Sequence, residues 1–401
     1  MRVVINGLAA LKPKTGVGHH VAQVASHLMA AYPDDQFALY PGDRLGQLIS
    51  RFVHGEQKSK PAKAAAPRKP SRVKSSFKGA AKSFGKFASS AHFMGYVRTF
   101  GFDLYHEPNF VPYRCELPTV VTVHDLSVVR HPEWHPIDRV RFHDRYFARG
   151  LERSSHVIVV SEAVRQEVIE EFGIAPHRVS TTYNGVSEAF RVHSPQEIAT
   201  ARRRMNLPDR FFLCVGTIEP RKNIGTVLRA FADLPASVRE SCPLLLAGPW
   251  GWKADADRTL FEDIARPLGA RHLGYVPDAD LPALYAAATA LVYPSHYEGF
   301  GIPPVEMLAS GGAVLASTAT AIREVVSSHG WFVAPDDLTG WRDSMLRVVN
   351  EPEFLDELRR GGPEHARRFT WEQAARDTHA VYRSVLGLSL PKPIPSISTA
   401  A

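Results

Sequence analysis

Cysteine is scarce in this chain. Cys115, Cys214 and Cys242 are the only three in 401 residues. An odd number without metal-ligand spacing argues against a disulfide framework and a thiolate metal site. It fits a reducing cytosol, where isolated cysteines serve as small core residues. No run of 18 apolar residues occurs, so no segment qualifies as a membrane-spanning helix. The opening "MRVVINGLAALKPKTGVG" lacks the layout of a signal peptide and reads as a first strand entering a glycine loop. Acidic residues are missing from one whole segment. Lys58 to Arg98 holds eleven Lys or Arg and no Asp or Glu. The net charge is +7, and setting those eleven aside leaves the remainder at −4. The basic character is therefore local.

Short apolar runs alternate with longer helical patterns. In the first half the runs are Arg2–Ile5, Phe37–Tyr40, Asp103–His106, Thr119–Asp125, His156–Ser161 and Val179–Gly185. In the second half they are Phe211–Gly216, Pro243–Gly248, Arg271–Val276, Ala290–Ser295, Ala313–Thr318 and Trp331–Pro335. Continuous apolar strands between helices indicate parallel sheets covered on both faces. Two such sets indicate an α/β chain of two doubly wound domains, joined in the polar stretch Phe190–Arg210. Ligands of open parallel sheets bind beyond the carboxyl ends of the strands, and the chemistry-bearing motifs all fall there.

"GTIEPRKN" (Gly216–Asn223) follows a strand and opens a helix. Arg221 and Lys222 beside a helix start suit a diphosphate, with Asn223 as N-cap; a solvated basic turn is the plainer reading. "KTGVG" places Gly16 and Gly18 where backbone can approach a phosphate or sugar, or simply turn. The third glycine and the acidic residue of a dinucleotide fingerprint are missing, which disfavours such a site. His124 and Asp125 end a buried strand. His124 can donate to a sugar hydroxyl or a leaving phosphate, or bond within its own loop. "HPEWHP" (His131–Pro136) has a metal-like spacing, but its prolines and the lack of a cysteine partner argue against a metal. "YEGFGIPPVEMLASGG" puts Glu298 on a loop and Glu306 in the first turn of a helix, with Gly299, Phe300 and Gly301 between them. Several N–H donors beside two carboxylates suit a polyol phosphate. For Glu306 alone, compensation of the helix dipole is the alternative.

E-G-F-G-x-P-x-x-E at Glu298–Glu306 resembles the E-x7-E motif of the retaining GT-B glycosyltransferases, the large group 1 family (family 4). The likeness runs from Gly16 through "TVVTVHDLS", "NGV" and "GTIEPRKN" to "FTWEQAARDTHAVYRSVL", and "EPRKN" with "HDLS…HPEW" looks most like bacterial mannosyltransferases. The resemblance implies a GT-B fold, two Rossmann-like domains facing a central cleft. Residues 1–190 would be the acceptor domain with a basic insertion at 58–98, 191–370 the donor domain, 371–388 a helix crossing back and 389–401 a disordered tail. It implies that Arg221 and Lys222 hold the donor diphosphate, Glu306 the ribose, and Glu298 with the Gly299–Gly301 amides the sugar. Gly16 and Gly18 would line the diphosphate and acceptor side, Gly216 and Val276 would join the donor pocket, and His124 would contact the transferred sugar. Asn184 would sit near the domain crossing, and Gly248–Trp252 with Gly274–Asp278 would form the base pocket. The partners implied are a nucleotide-sugar, GDP-mannose by resemblance or else a UDP-sugar or another GDP-sugar, and a saccharide or lipid-linked acceptor. No cofactor is implied, and Lys and Arg can neutralise the diphosphate without a metal.

The basic segment becomes amphipathic from Phe77 on. Phe77, Ala81, Phe84, Phe87, Ala91 and Met94 recur at helical spacing, and Lys74, Lys78, Lys82 and Lys86 are spaced four apart. This pattern points to an anionic membrane surface rather than nucleic acid, and so to a peripheral protein at the inner face of the plasma membrane. A mobile solvated loop is the plainer alternative. Competing readings of the whole chain are a GT-B epimerase or phosphorylase and a non-catalytic membrane adaptor.

Overall fold

The computed structural model describes residues 1–11, 16–42 and 90–389. Lys74, Phe77, Lys78, Lys82, Phe84, Lys86 and Phe87 lie outside the described residues, as does the tail from 390.

Among the described residues, twelve strands form two sheets. β1 (Arg2–Asn6), β2 (Gln36–Tyr40), β3 (Leu104–Glu107), β4 (Thr119–Val123), β5 (His156–Val159) and β6 (Val179–Thr181) take the order β2-β1-β3-β4-β5-β6. β7 (Phe212–Val215), β8 (Leu244–Ala247), β9 (Arg271–Gly274), β10 (Ala290–Tyr293), β11 (Ala313–Ser317) and β12 (Trp331–Val333) take the order β12-β11-β10-β7-β8-β9. Pairing is parallel, as in Phe212 beside Leu244 and Leu291 beside Val314. Each apolar run read from the sequence is a strand. Several end earlier than the apolar run, because their last residues turn out of the ladder into loops. His124 and Asp125, for example, lie beyond β4, and the Asp125 carboxylate accepts from the Ser127 N–H at 2.8 Å.

The helices used below are α1 (Gly16–Ala31), α2 (Ile137–Arg153), α3 (Glu162–Phe172), α4 (Pro195–Met205), α5 (Ile224–Ala232), α6 (Leu281–Ala287), α7 (Ile302–Ala309), α8 (Leu338–Asn350), α9 (Pro352–Arg359) and α10 (Trp371–Val385). α4 begins at "SPQE" because Ser194 and Glu197 form a reciprocal capping box, with proline in the first turn.

The second sheet explains its own sequence. In "FFLC", Phe212 and Cys214 face one core with Val227 and Phe231 of α5 and Trp341 and Met345 of α8. Phe211 and Leu213 face the other core with Leu284 and Tyr285 of α6 and Val305 and Leu308 of α7. Side chains alternate across a strand, so a sheet covered on both faces needs an unbroken apolar run. Each fully buried Leu or Phe contributes about 1.5–3 kcal/mol.

Contacts divide the chain into two units. One comprises Met1–Thr122, Arg149–Ile158 and Ala375–Ala401, and the other Val123–Ala148 and Val159–Ala374. In the first unit, residues 90–100 are helical and bury Phe93 and Val97 against Val4, Tyr40 and Tyr105. Of the stripe read from the sequence, only Ala91 and Met94 fall among the described residues, and they lie off this buried face. The buried face carries Phe93 and Val97, while Ala91 is exposed and Met94 half-buried.

Candidate functional site

The strand order of the second sheet reverses between β10 and β7, parallel neighbours from which the order runs outward both ways. Such a switch point leaves a crevice at the carboxyl edge. The loops leaving β7 and β10 both enter it.

After β7, Gly216 takes φ 129°, a left-handed conformation open to glycine. A Cβ built on Gly248 would lie 2.0 Å from the Gly216 carbonyl, so the two strand ends touch through glycine. Pro220–Lys222 then forms one 3-10 turn ahead of α5. Asn223 occupies the N-cap position but does not cap with its side chain. It sits at φ 52°, and its amide donates across the crevice to the carbonyls of Pro294 (3.2 Å) and Pro335 (2.8 Å). It ties the β7 and β10 loops together instead.

The loop after β10 brings Glu298 onto the two cations. Lys222 Nζ lies 2.6 Å from Glu298 Oε1 and 2.7 Å from the Tyr293 hydroxyl, which donates to Glu298 Oε1 at 2.8 Å. The Arg221 guanidinium pairs with Glu298 Oε2, donates to the Tyr297 carbonyl at 3.0 Å and pairs with Glu219 at 2.8 Å. Arg221, Lys222, Glu298 and Glu219 are 13%, 12%, 8% and 5% exposed, so the four charges form one nearly buried network. Burial alone pushes Glu298 up, but Arg221 and Lys222 outweigh it and hold the carboxyl at about 2. Burial pulls Lys222 down, partly offset by Glu298. Burial also opposes the Arg221 charge, yet Glu298 and Asp125 raise its pKa well above the ordinary value. Glu219 is pushed up by burial, and its Oε2 is buried without a hydrogen-bond partner.

The β4 end reaches the same loop. A Cβ on Gly299 would lie 1.7 Å from the His124 carbonyl oxygen and 3.0 Å from Asp125 Cβ. The Tyr297 hydroxyl accepts from the Leu126 N–H at 3.0 Å and donates to Glu167 of α3. The Gly299 carbonyl accepts from Ser161 Oγ at 2.7 Å. Phe300 is core, packed on Tyr183 and Phe369, and Gly301 takes φ 106° at the start of α7. Beside the loop, Trp134 stacks on His131 at 4.0 Å and on His296 at 5.7 Å, so "HPEWHP" supplies an aromatic stack.

Glu306 stands apart from this network. It is the fifth residue of α7, past the first turn where it was expected, because the helix begins at Ile302 with both prolines in its first turn. Dipole compensation therefore does not explain it. Burial, with Asp278 adding to it and Tyr285 opposing, raises Glu306 to about 7. Val276 and Tyr285 pack in the core on that side of the sheet. In the other unit, Gly16 and Gly18 open α1, and a Cβ on Gly16 would meet no described protein atom within 4 Å. Asn184 is buried, and next to it Gly185 presses on Trp371, where a Cβ would lie 2.1 Å from the Trp371 nitrogen.

Two members of the network were missed in the sequence. Glu219 carried a signal, a carboxylate one residue from "PRK". Tyr293 carried another, since a tyrosine closing a buried strand needs a partner for its hydroxyl.

Residues 196–365 match the family model "Glycosyl transferases group 1", and residues 15–190 match "Glycosyltransferase Family 4". The chain is 37% identical over 282 residues to the O-antigen chain mannosyltransferase B of Escherichia coli, covering 70% of this chain and 74% of that one. The chain belongs to the group 1 glycosyltransferases. This glycosyltransferase is also 32% identical over 269 residues to the serotype-specific mannosyltransferase WbdA of Escherichia coli, covering 64% of this chain. It spans only about a third of that relative's length (32%). In structure it superposes on the sucrose-phosphate synthase of Thermosynechococcus elongatus with a TM-score of 0.70, at 21% identity, covering 97% of this chain and 99% of that one. The fold of this glycosyltransferase is GT-B.

Proposed function

We propose that this glycosyltransferase moves mannose from GDP-mannose, with retention of anomeric configuration, to a saccharide or lipid-linked acceptor of a cell-surface polysaccharide. The observation that carries the reading is the Arg221–Lys222–Glu298 network at the sheet's switch point. Mannose as the sugar rests on the likeness to the O-antigen mannosyltransferases.

Loss of the diphosphate builds negative charge on the leaving group. Cations fixed beforehand stabilise that charge more in the transition state than in the ground state. Arg221 and Lys222 are fixed in this sense, each held by Glu298 and by a second group, Glu219 or Tyr293. Glu298, ionised at neutral pH, is an acceptor for sugar hydroxyls. His124 contacts the transferred sugar, Glu306 takes the ribose hydroxyls, and Gly16 and Gly18 face the diphosphate. No metal takes part, and the reaction runs on the cytoplasmic side of an anionic membrane.

Turnover of a panel of GDP- and UDP-sugars, with NMR of the product's anomeric centre, tests the reading. GDP-mannose turned over with an α-linked product supports it. Turnover of a UDP-sugar alone would replace the donor, and an inverted product would remove the retaining mechanism. Lys222→Ala is expected to lose about 10²–10³ in kcat, the effect of removing one transition-state donor. Unchanged turnover would move the site elsewhere.

A further inference from the structure

The second unit has another concavity at the opposite edge of its sheet. It encloses about 530 Å³ and is bordered by Arg210, Thr289 and Gly312, which come just before β7, β10 and β11. These strands are neighbours, so the cavity opens at their amino ends. Gly216 and Glu298 follow the carboxyl ends. A strand of four residues rises about 13 Å, so the two places lie at opposite ends of the strands.

Three arginines reach this cavity from three elements: Arg202 of α4, Arg210, and Arg359 at the end of α9. Their hydrogen bonds go to main-chain carbonyls. Arg210 Nη2 donates to Val348 (3.4 Å) and Val349 (3.2 Å), and Arg359 Nη2 donates to Thr289 (3.4 Å). Arg202 Nη2 donates to Asp209 and Ala287. Carbonyls satisfy donors without cancelling charge. The carboxylate beside Arg202, Asp209, is 3.9 Å away and fully in solvent. Arg202 Nε is buried with no acceptor. Burial and Arg210 both lower the Arg359 pKa, with Asp356 opposing. Capping the α8 carboxyl end accounts for Arg210. It does not account for three arginines from different parts of the chain lining one cavity.

Apolar side chains of Val192, Ile198 and Leu355 complete the wall. Planar guanidinium forks match phosphate oxygens in pairs, and the volume lies within the range of small-molecule sites. We propose that this cavity binds a phosphorylated small molecule, its phosphate held by Arg202, Arg210 and Arg359 and its organic body against the apolar wall. The site is independent of the donor assignment.

Calorimetric titration of the full chain with GMP and with glucose 6-phosphate tests it, with guanosine and glucose as controls. All titrations use a Lys222→Ala background, which weakens anion binding at the donor network. Saturable binding of either phosphate, at least tenfold weaker in Arg359→Gln and in Arg202→Gln, is the expected result. GMP binding alone would indicate a nucleoside phosphate and glucose 6-phosphate alone a sugar phosphate. Arg359→Lys keeps the charge and loses the fork, and should fall between; it also guards against misfolding of the glutamine variants. No saturable binding, equal binding of the unphosphorylated controls, or full affinity in both glutamine variants would overturn the proposal.

Discussion

Glu298 and Glu306 share a motif and differ in chemistry because their surroundings differ. Glu298 is held down at about 2 by two cations, against its burial. Its stabilising contribution is complete above the ordinary carboxylate value and is lost as pH falls from about 4.5 through 2. Removing one partner of a buried ion network typically costs about 3–5 kcal/mol, against about 1 kcal/mol or less for an exposed pair. Glu298→Gln is therefore expected to lower stability by about 3 kcal/mol in urea unfolding at pH 7, a loss that narrows toward pH 3. Glu306 carries the opposite sign. Its folded pKa of about 7 lies above the ordinary 4.5, so the neutral form is favoured and stability falls as pH rises from 4.5 through 7. Glu306→Gln removes this penalty, so the variant should gain on the wild type across that window and hold the gain above it. Paired unfolding curves at pH 4.5 and 8 check the sign. If the ionised form also accepts ribose hydroxyls, donor affinity of the wild type rises through pH 7 and that of the variant stays flat.

At the scale of elements, glycine marks where chain segments touch. Gly299→Ala places a methyl group 1.7 Å from the His124 carbonyl oxygen. Backbone must move, and the loop carrying Glu298 moves with it; displacements near 1 Å cost on the order of 10²-fold in rate. Activity is expected to fall at least that far, with a lower melting temperature. Gly16→Ala is the contrast, since its Cβ meets no described atom within 4 Å. Its melting temperature should stay at or slightly above that of the wild type. If Gly16 lines the diphosphate, activity falls all the same, and calorimetry beside a turnover assay separates the two effects. The strands were legible from the sequence because a sheet covered on both faces forces short unbroken apolar runs such as "FFLC" and "LLLA". The start of α7 was less legible. Prolines at 303 and 304 fit a first turn equally well with the helix opening at 302 or 303, and Glu306 leaves the first turn accordingly. The ion network was legible only as parts. Lys222 and Glu298 lie 76 residues apart, and no local pattern states that the second neutralises the first.

At the scale of the whole molecule, the first unit is assembled from three separate stretches of chain. Apolar patterning reports which residues are buried, not which distant segment covers them, so patterning alone gives no sign of this assembly; the returning helix was implied only by the family resemblance, over 371–388. Its last stretch, from Ala375, brings groups that the first stretch needs. The Tyr382 hydroxyl bonds to His106 Nδ1 at 2.6 Å, and His379 Nε2 to Asp35 at 2.7 Å, with Tyr32 stacked on the His379 ring at 3.5 Å. Ala375 and Tyr382 are fully buried. A fragment of residues 1–190 therefore lacks the partners of His106 Nδ1 and Asp35 Oδ2, though Thr122 and the Met1 ammonium still hold the other atoms, and it exposes the apolar surface under Tyr382. Deleting a buried tyrosine alone costs about 3–5 kcal/mol by analogy with other large aromatic truncations, a large share of a domain's usual 5–15 kcal/mol. The fragment is expected to melt early and broadly and to be cut rapidly by protease. Residues 371–389 joined to its carboxyl end through a flexible linker should restore a cooperative transition, and the same peptide carrying Tyr382→Ala should not. Equal melting of the fragment with and without the joined peptide would show that the first unit does not depend on the returning segment.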